Sequence, residues 1–415
     1  MSQPTLVLFE DQYFAQLLPL AYFRPVWALR CGMRTLAQKI EQDLGQSPLF
    51  AARTYLEETV LPGQRLLSVL PPEADILMVN GRLLGSSLEL EVLNQLPPGE
   101  ALDCDGQLVA ARLTRDRVQK FRTNGIVDAA ALKDTLNSQA IGCTLIQYPW
   151  DLIRHHQAEM AADFHALSSS VNAVQQPPSF VHLLGAENTL IAPDVSFKPG
   201  VVLDAEEGPI VIESGVEIMA NAVIQGPAWI GRGSRIKIGA KIYGGTAIGP
   251  ICKVGGEVEG SILQSYVNKQ HEGFLGHAYL GSWVNLGADT NNSDLKNNYG
   301  PVRVLFNGKT FDTGMQFLGL IMGDHSKTAI NTMFNTGTIV GVNCNIFGAG
   351  MPPKFVPSFS WGGAEGLAPY RLEKAMEVAE RVMARRDVPF GDRERRLFEA
   401  VWTLATQTEQ RSADN

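Results

Sequence analysis

Two histidines six residues apart, His271 and His277, stand in the most chemically loaded stretch of the chain, Asn268 to Thr290. Polar groups crowd its turn positions (Lys269, Gln270, Glu272, Asn285, Asp289), while Phe274, Leu280 and Leu286 keep an apolar period. Imidazole is suited to take a proton from an amine or hydroxyl nucleophile near neutral pH. Where the attack falls on a carbonyl, the oxyanion that forms needs main-chain N–H or amide donors. A second set of candidates lies near the N-terminus: Arg24, Arg30, Arg34 and Arg82. Guanidinium groups hold phosphate bidentately and need no metal to do so. For any single arginine, a solvated or ion-paired surface role is the ordinary alternative.

The elements that must position the histidines are legible from a repeat. Ile212, Ile218, Ile224, Ile230, Ile236, Ile242, Ile248 and Val254 follow one another at period six. That period fits neither an α-helix nor a lone strand. It is the signature of a hexapeptide parallel β-helix, expected here to be left-handed, with each aliphatic residue pointing into the prism. Ile191, Phe197 and Leu203 already keep the period before a short insertion at Asp204 to Pro209. The phase shifts near Gly260-Ser261 and resumes through Asn268, Phe274, Leu280 and Leu286. On that frame His271 and His277 each fall three residues after an inward position and project from successive corners. An inserted loop, 288–321, interrupts the solenoid, which resumes with Met322, Thr328, Phe334, Val340 and Ile346. Long loops inside compact domains are usually functional. Hexapeptide solenoids point to acyl transfer; the alternative is a non-catalytic trimeric scaffold.

Residues 1–177 read as an α/β domain. Thr5 to Phe9, Asp75 to Val79 and Leu108 to Leu113 suit strands. Met33 to Leu44, Leu88 to Leu96, Ala129 to Leu136 and Leu152 to Leu167 look helical. Gln175-Gln176-Pro177-Pro178 is the expected linker, because paired prolines stay extended. The solenoid domain is expected over 181–360 and a helical C-terminal extension over 361–415. There Pro369 to Arg386 has helical spacing, and Asp392 caps a second helix. These helices would cover the last coil, whose strand edges are otherwise exposed.

Composition narrows the class. A hydrophobic content of 45% suits a globular protein with a sizeable core, and a net charge of -8 gives no basic field for nucleic acid. No apolar stretch reaches about 18 residues, so no membrane span is expected. Met1 to Asp11 lacks the basic segment of a signal peptide. Cys31, Cys104, Cys143, Cys252 and Cys344 are scattered, without zinc or redox spacing, which reads as reduced thiols in a cytoplasmic protein.

The stretch Val284-Asn285-Leu286-Gly287-Ala288-Asp289-Thr290 closely resembles a Val-Asn-Ile-Gly-Ala-Gly-Thr segment of the bifunctional N-acetylglucosamine-1-phosphate uridylyltransferase/glucosamine-1-phosphate acetyltransferase family. Counting back without a gap, the resemblance places that family's catalytic base on His271 and a sugar-binding asparagine on Asn285. The family's tyrosine three residues after the base becomes Phe274. Its two basic sugar-phosphate contacts fall near Lys241 and Glu259, the second with reversed charge, for which Lys269 would compensate. A rival alignment runs through Gly276-His277-Ala278-Tyr279-Leu280-Gly281 and makes His277 the base. It needs a gap that breaks the hexad frame, so His271 is taken as the base and His277 as an acceptor contact. The wider segment, Lys269 to Trp361, is similar to a branch of that family described by homology as sugar nucleotidyltransferases. It shares the insertion Thr290 to Gly300 and the segment Asn331 to Gly337. The resemblance implies that Asn291 and Asn292 help clamp a polar acceptor, as amides can. It implies that Thr328, Ile330, Asn331, Gly348 and Ala349 meet acetyl-CoA, the co-substrate. It also implies a homotrimer with coenzyme sites between neighbouring solenoids.

Leu18-Pro19-Leu20-Ala21-Tyr22-Phe23-Arg24-Pro25 resembles the signature segment of sugar-1-phosphate nucleotidyltransferases. That family's glycine-rich phosphate loop is here Tyr13-Phe14-Ala15-Gln16, its lysine is Val26 and its magnesium-binding aspartate is Arg82. All three depart together. The resulting expectation is an acyl-coenzyme A-dependent acyltransferase, taken as N-acetyl, acting on a sugar phosphate or nucleotide sugar. His271 is its base, and no metal is bound. The alternative is an active uridylyl- or thymidylyltransferase in the N-terminal domain, possibly bifunctional, which would require Mg2+.

Overall fold

The computed structural model describes residues 3–168, 176–306 and 308–409. It separates into two compact units: Met1–Arg30, Arg34–Pro149 and Gly391–Ala400 form one, and Cys31–Met33, Trp150–Phe390 and Val401–Asn415 the other.

The first unit is built on a mixed six-stranded sheet. Its order runs Asn137–Ala140, Glu100–Cys104, Gln107–Thr114, Asp75–Asn80, Thr5–Phe9, Leu49–Ala51. Thr5–Phe9 is parallel to both neighbours, and Gln107–Thr114 is antiparallel to both of its own. Val7, Phe9, Ile76, Met78 and Ala111 are buried together on one side. The first helix is Leu36–Leu44; it starts later than Met33 because Thr35 closes a capping box with Gln38, and Gly45 ends it at φ 62°. Of the helix expected over Leu88–Leu96, only Glu91–Asn94 forms. Pro97-Pro98 leaves too little room for more.

The second unit is a parallel β-solenoid with three faces, starting at His182–Leu184. The strict hexads visit the faces in turn, and like residues stack on like: Ile212 on Ile230 on Ile248, and Ile218 on Ile236 on Val254. Beyond Val254 the frame differs from the sequence expectation. Val258 stacks on Ile242, Leu263 on Ile248, and Lys269 on Val254. The inward positions are therefore Lys269 and Leu275, not Asn268 and Phe274. The coils shorten at the positive-φ glycines Gly256 and Gly260, where a tighter corner drops residues from the hexad.

The coil does not break at Ala288. It continues through Asn291–Asn292, which pairs with Met333–Phe334. The excursion runs from 293 to 319, carries the hairpin Arg303–Phe306/Lys309–Asp312, and rejoins the second face at Leu320–Met322.

The helix Pro149–Ser168 groups with the solenoid rather than with the sheet. Its Met160 packs with Met33 against Val211, Trp229 and Ala247, the outward residues of the second face. The main-chain N–H of Gly32 donates to His156 Nδ1 (2.8 Å), and that of Met33 to Asp163 Oδ2 (2.7 Å). Of the expected linker, Gln175 lies outside the described residues, and Gln176–Pro178 has no regular structure. At the far end the third face closes with an antiparallel hairpin, Ser360–Gly363/Gly366–Pro369. Helices Leu372–Ala384 and Asp392–Thr408 follow. Glu409 accepts hydrogen bonds from the Ser358 main-chain N–H and hydroxyl, satisfying donors of the last coil. No helix among the described residues is long and apolar enough to cross a membrane.

Candidate active site

His277 sits at the corner between the first and second faces, with φ 43°. Its Nδ1 lies 2.8 Å from Asp294 Oδ2, and its ring packs on Phe317 at 5.1 Å between centroids. An ionised carboxylate only accepts, so Asp294 fixes the tautomer with the proton on Nδ1 and leaves the Nε2 lone pair free. Gly260 makes the ring's position possible: a Cβ there would lie 2.8 Å from the imidazole.

The backbone around this pair is pinned from inside the prism. Asn292 occupies an inward position and clamps Gly276, accepting from its N–H (3.0 Å) and donating to its carbonyl (2.9 Å). Gly319 N–H donates to the His277 carbonyl, and Leu318 N–H to that of Asp294, so the excursion returns to the corner it left. A Cβ on Gly276 would meet Asp294 Oδ2 at 2.3 Å, and one on Gly319 the Gly276 carbonyl at 2.0 Å.

His277 opens onto a cleft of about 470 Å³. Gln225, Tyr243 and Glu259 follow one another down the first face and form one wall. The helix Pro149–Ser168 gives Arg154 and Gln157, and the excursion gives Met315, Gln316 and Phe317. Glu207 closes one end. Arg154 donates to the Thr313 carbonyl (2.6 Å), tying the helix to the excursion.

The other sequence candidates are dispersed. His271 is exposed on the corner between the third and first faces, and its carbonyl accepts from Lys269 Nζ (2.8 Å). Lys269 itself points into the prism, 2% exposed, with a second bond to the Gly255 carbonyl. Burial pulls its pKa down to about 8. A substrate contact from Lys269 is therefore corrected to an internal role. Lys241 lies on the cleft's face but pairs with Glu272 at 3.3 Å. Asn285 is outward on the third face, away from His277. Asn291 accepts from Phe274 N–H and donates to the Asp289 carbonyl, so both its groups serve the backbone, as do those of Asn292. Thr328 is inward, bonded to Gly287 N–H and Thr290 Oγ1. Ile330, Asn331, Gly348 and Ala349 are exposed at the third-to-first corner.

Sequence reasoning did not single out Asp294, Tyr243, Gln225 or Glu207. Asp294 carried one signal: it follows His277 by 17 residues, one coil, and so returns to the same corner.

In the first unit, Arg82 is fully buried and its guanidinium is engaged. It donates to Asp11 from Nε (3.1 Å) and Nη2 (2.7 Å), to Gln107, and to the Ile146 carbonyl. It is not free to hold a phosphate, which corrects that expectation. Arg24 donates to the Leu20 carbonyl and Arg34 to Gln42, while Arg30 is buried. Asp11 also accepts from Asn80 and from Tyr13 N–H, and Glu10 is held by Arg53 and Val26 N–H. Tyr13 and Phe14, in the place of a phosphate loop, stack on Arg82 and Arg53. These carboxylates are saturated by cations and amides, and they do not fit a Mg2+ site.

Residues 6–172 match the family model for a sugar nucleotidyl transferase. The chain is 34% identical over 88 residues to the bifunctional protein GlmU of Methanocaldococcus jannaschii, covering 21% of each chain. It is 28% identical over 178 residues to the GlmU of Synechococcus elongatus, covering 42% of this chain and 34% of that one. It is 26% identical over 155 residues to the uncharacterized acetyltransferase YaiX of Escherichia coli, covering 37% of this chain and 67% of that one. The matched stretches span a fifth to a third of these GlmU relatives' length. With a match to the sugar nucleotidyl transferase family over residues 6–172 and a parallel β-solenoid after it, the chain is similar to GlmU in both parts.

Proposed function

We propose that the solenoid unit is an acyl-coenzyme A-dependent acyltransferase, acetyl in the first instance. It acts on the amine or hydroxyl of a sugar; the resemblance implies a sugar phosphate or nucleotide sugar, and the phosphate is left open. The observation that carries this reading is the His277–Asp294 pair at the mouth of a polar cleft. The similarity to an acetyltransferase supports it.

Bound coenzyme supplies an activated thioester. The protein's part follows from its own groups. Asp294 holds His277 so that Nε2 faces the cleft, and Nε2 accepts the nucleophile's proton as its nitrogen or oxygen bonds to the acyl carbon. The carbon–sulfur bond breaks, and the imidazolium returns the proton to the thiolate. His277 thus replaces His271 as the proposed base.

The chain is proposed to work as a homotrimer. Ile330, Met333, Phe347 and Met351 expose 39–67% of their surface around the third-to-first corner of consecutive coils. The coenzyme candidates share that corner, whereas His277 is on another, so a neighbouring copy would supply the coenzyme surface. Thiol release from acetyl-CoA with amino-sugar acceptors tests the activity. No release, or release unchanged in His277→Ala, would sink it.

A further inference from the structure

Resting on the acyltransferase reading of this same cleft, we propose that its acceptor is a sugar ring that carries a free amine and no phosphate, and that Glu259 selects it. Two carboxylates, Glu207 and Glu259, face the cleft, and neither has an ion-pair partner among the described residues. The cation in the lining, Arg154, donates to the Thr313 carbonyl and lies 3.7 Å from Asp151. A phosphate ester would therefore meet two carboxylates without ion-pair partners, against one guanidinium already bonded to the Thr313 carbonyl. An ammonium meets the opposite field.

The remaining lining suits a polyhydroxylated ring. Tyr243 and Phe317 offer flat apolar faces, both about 40% exposed, and Gln157, Gln225 and Gln316 offer amides to hydroxyl groups. Glu259 is placed near the reacting position: its carbonyl accepts from His277 N–H at 3.0 Å, and a Cβ on Gly260, the next residue, would lie 2.8 Å from the imidazole ring. The ammonium held there loses one proton to solvent to become nucleophilic. The second proton passes to His277 Nε2 as the carbon–nitrogen bond forms, and from there to the departing thiolate.

Calorimetric titration of the intact protein with glucosamine and with glucosamine 1-phosphate, without coenzyme, tests the selection apart from any chemistry. The expected result is at least tenfold tighter binding of glucosamine. Glu259→Gln should weaken glucosamine about tenfold, and Glu259→Lys should reverse the preference, both with wild-type melting curves. Equal or tighter binding of the phosphate ester, or no binding of glucosamine, would overturn the proposal. Thiol release from acetyl-CoA is read separately: selective binding without release would leave the acceptor class standing and remove the acyltransferase reading.

Discussion

At His277 a change of one atom should separate orientation from presence. Asp294→Asn keeps the shape but offers an amide N–H to Nδ1, which favours the tautomer with its proton on Nε2. That nitrogen then cannot accept. Turnover should fall by roughly 10²–10⁴ with little change in KM, the range for loss of a general base. His277→Ala should match it, while His271→Ala stays within about twofold. Steady-state kinetics on the three variants decide it, and a severe defect confined to His271→Ala would return the base to that position. Gly260→Ala should also depress kcat, because the new methyl stands 2.8 Å from the imidazole and the residue keeps φ 54°. The histidines themselves were plain in the sequence, since imidazole at a solenoid corner has few purely structural uses. Asp294 was hidden because its carboxylate reaches His277 only through the stacking of one coil on the next, and the coil length there had been misjudged.

The solenoid shows what a period can and cannot specify. Seven isoleucines and a valine from Ile212 to Val254 determine three faces, because each must leave water and only an inward position allows it. The same rule misled at Asn268 and Phe274, where the inward residue is Lys269, which no hydrophobic pattern would nominate. Glycine corners shortened the coils, and side-chain character alone did not show it. Lys269 also carries a stability signature. Its pKa is depressed from 10.5 to about 8 by burial. Below pH 8 the amine is charged in both folded and unfolded chains, and the desolvation penalty is fully present. Between pH 8 and 10.5 the unfolded chain keeps the proton that the folded chain has released, so stability rises with pH. Lys269→Met removes the titration. The wild type should therefore gain up to about 3 kcal/mol relative to the variant across that window, at about 1.4 kcal/mol per pH unit. Denaturant melts at pH 7.5, 9 and 10.5 measure it, and a constant difference would contradict the assignment. In the same element, Asn292→Ala should cost about 1–3 kcal/mol by orphaning both polar groups of Gly276, and should lower kcat through the His277 backbone.

For the whole molecule, two expectations separate the units by function. The mass in solution should be three times the 45.2 kDa of one chain. Light scattering checks this, and a monomer that still turns over would remove the shared coenzyme surface from the mechanism. The second expectation concerns the first unit, whose family model describes a sugar nucleotidyl transferase while its residues are arranged otherwise. Arg53 closes on Glu10, and Arg82 on Asp11, each with both partners almost wholly buried. Both carboxylates are neutralised from within the protein, so a divalent cation would have to displace a guanidinium that has no water to move into. The aromatic side chains of Tyr13 and Phe14 lie over those guanidinium groups, where a phosphate would need bare main-chain N–H groups. The intact protein, given nucleoside triphosphates, sugar 1-phosphates and Mg2+, should release no pyrophosphate, and its acyl transfer should be unchanged by EDTA. Arg82→Ala should not unlock the reaction. It should instead lower stability by about 3–5 kcal/mol, because Asp11 would be left as a buried charge without its partner. Magnesium-dependent pyrophosphate release by the wild type would show that these ion pairs open in solution, and would restore the first unit as a second catalytic centre.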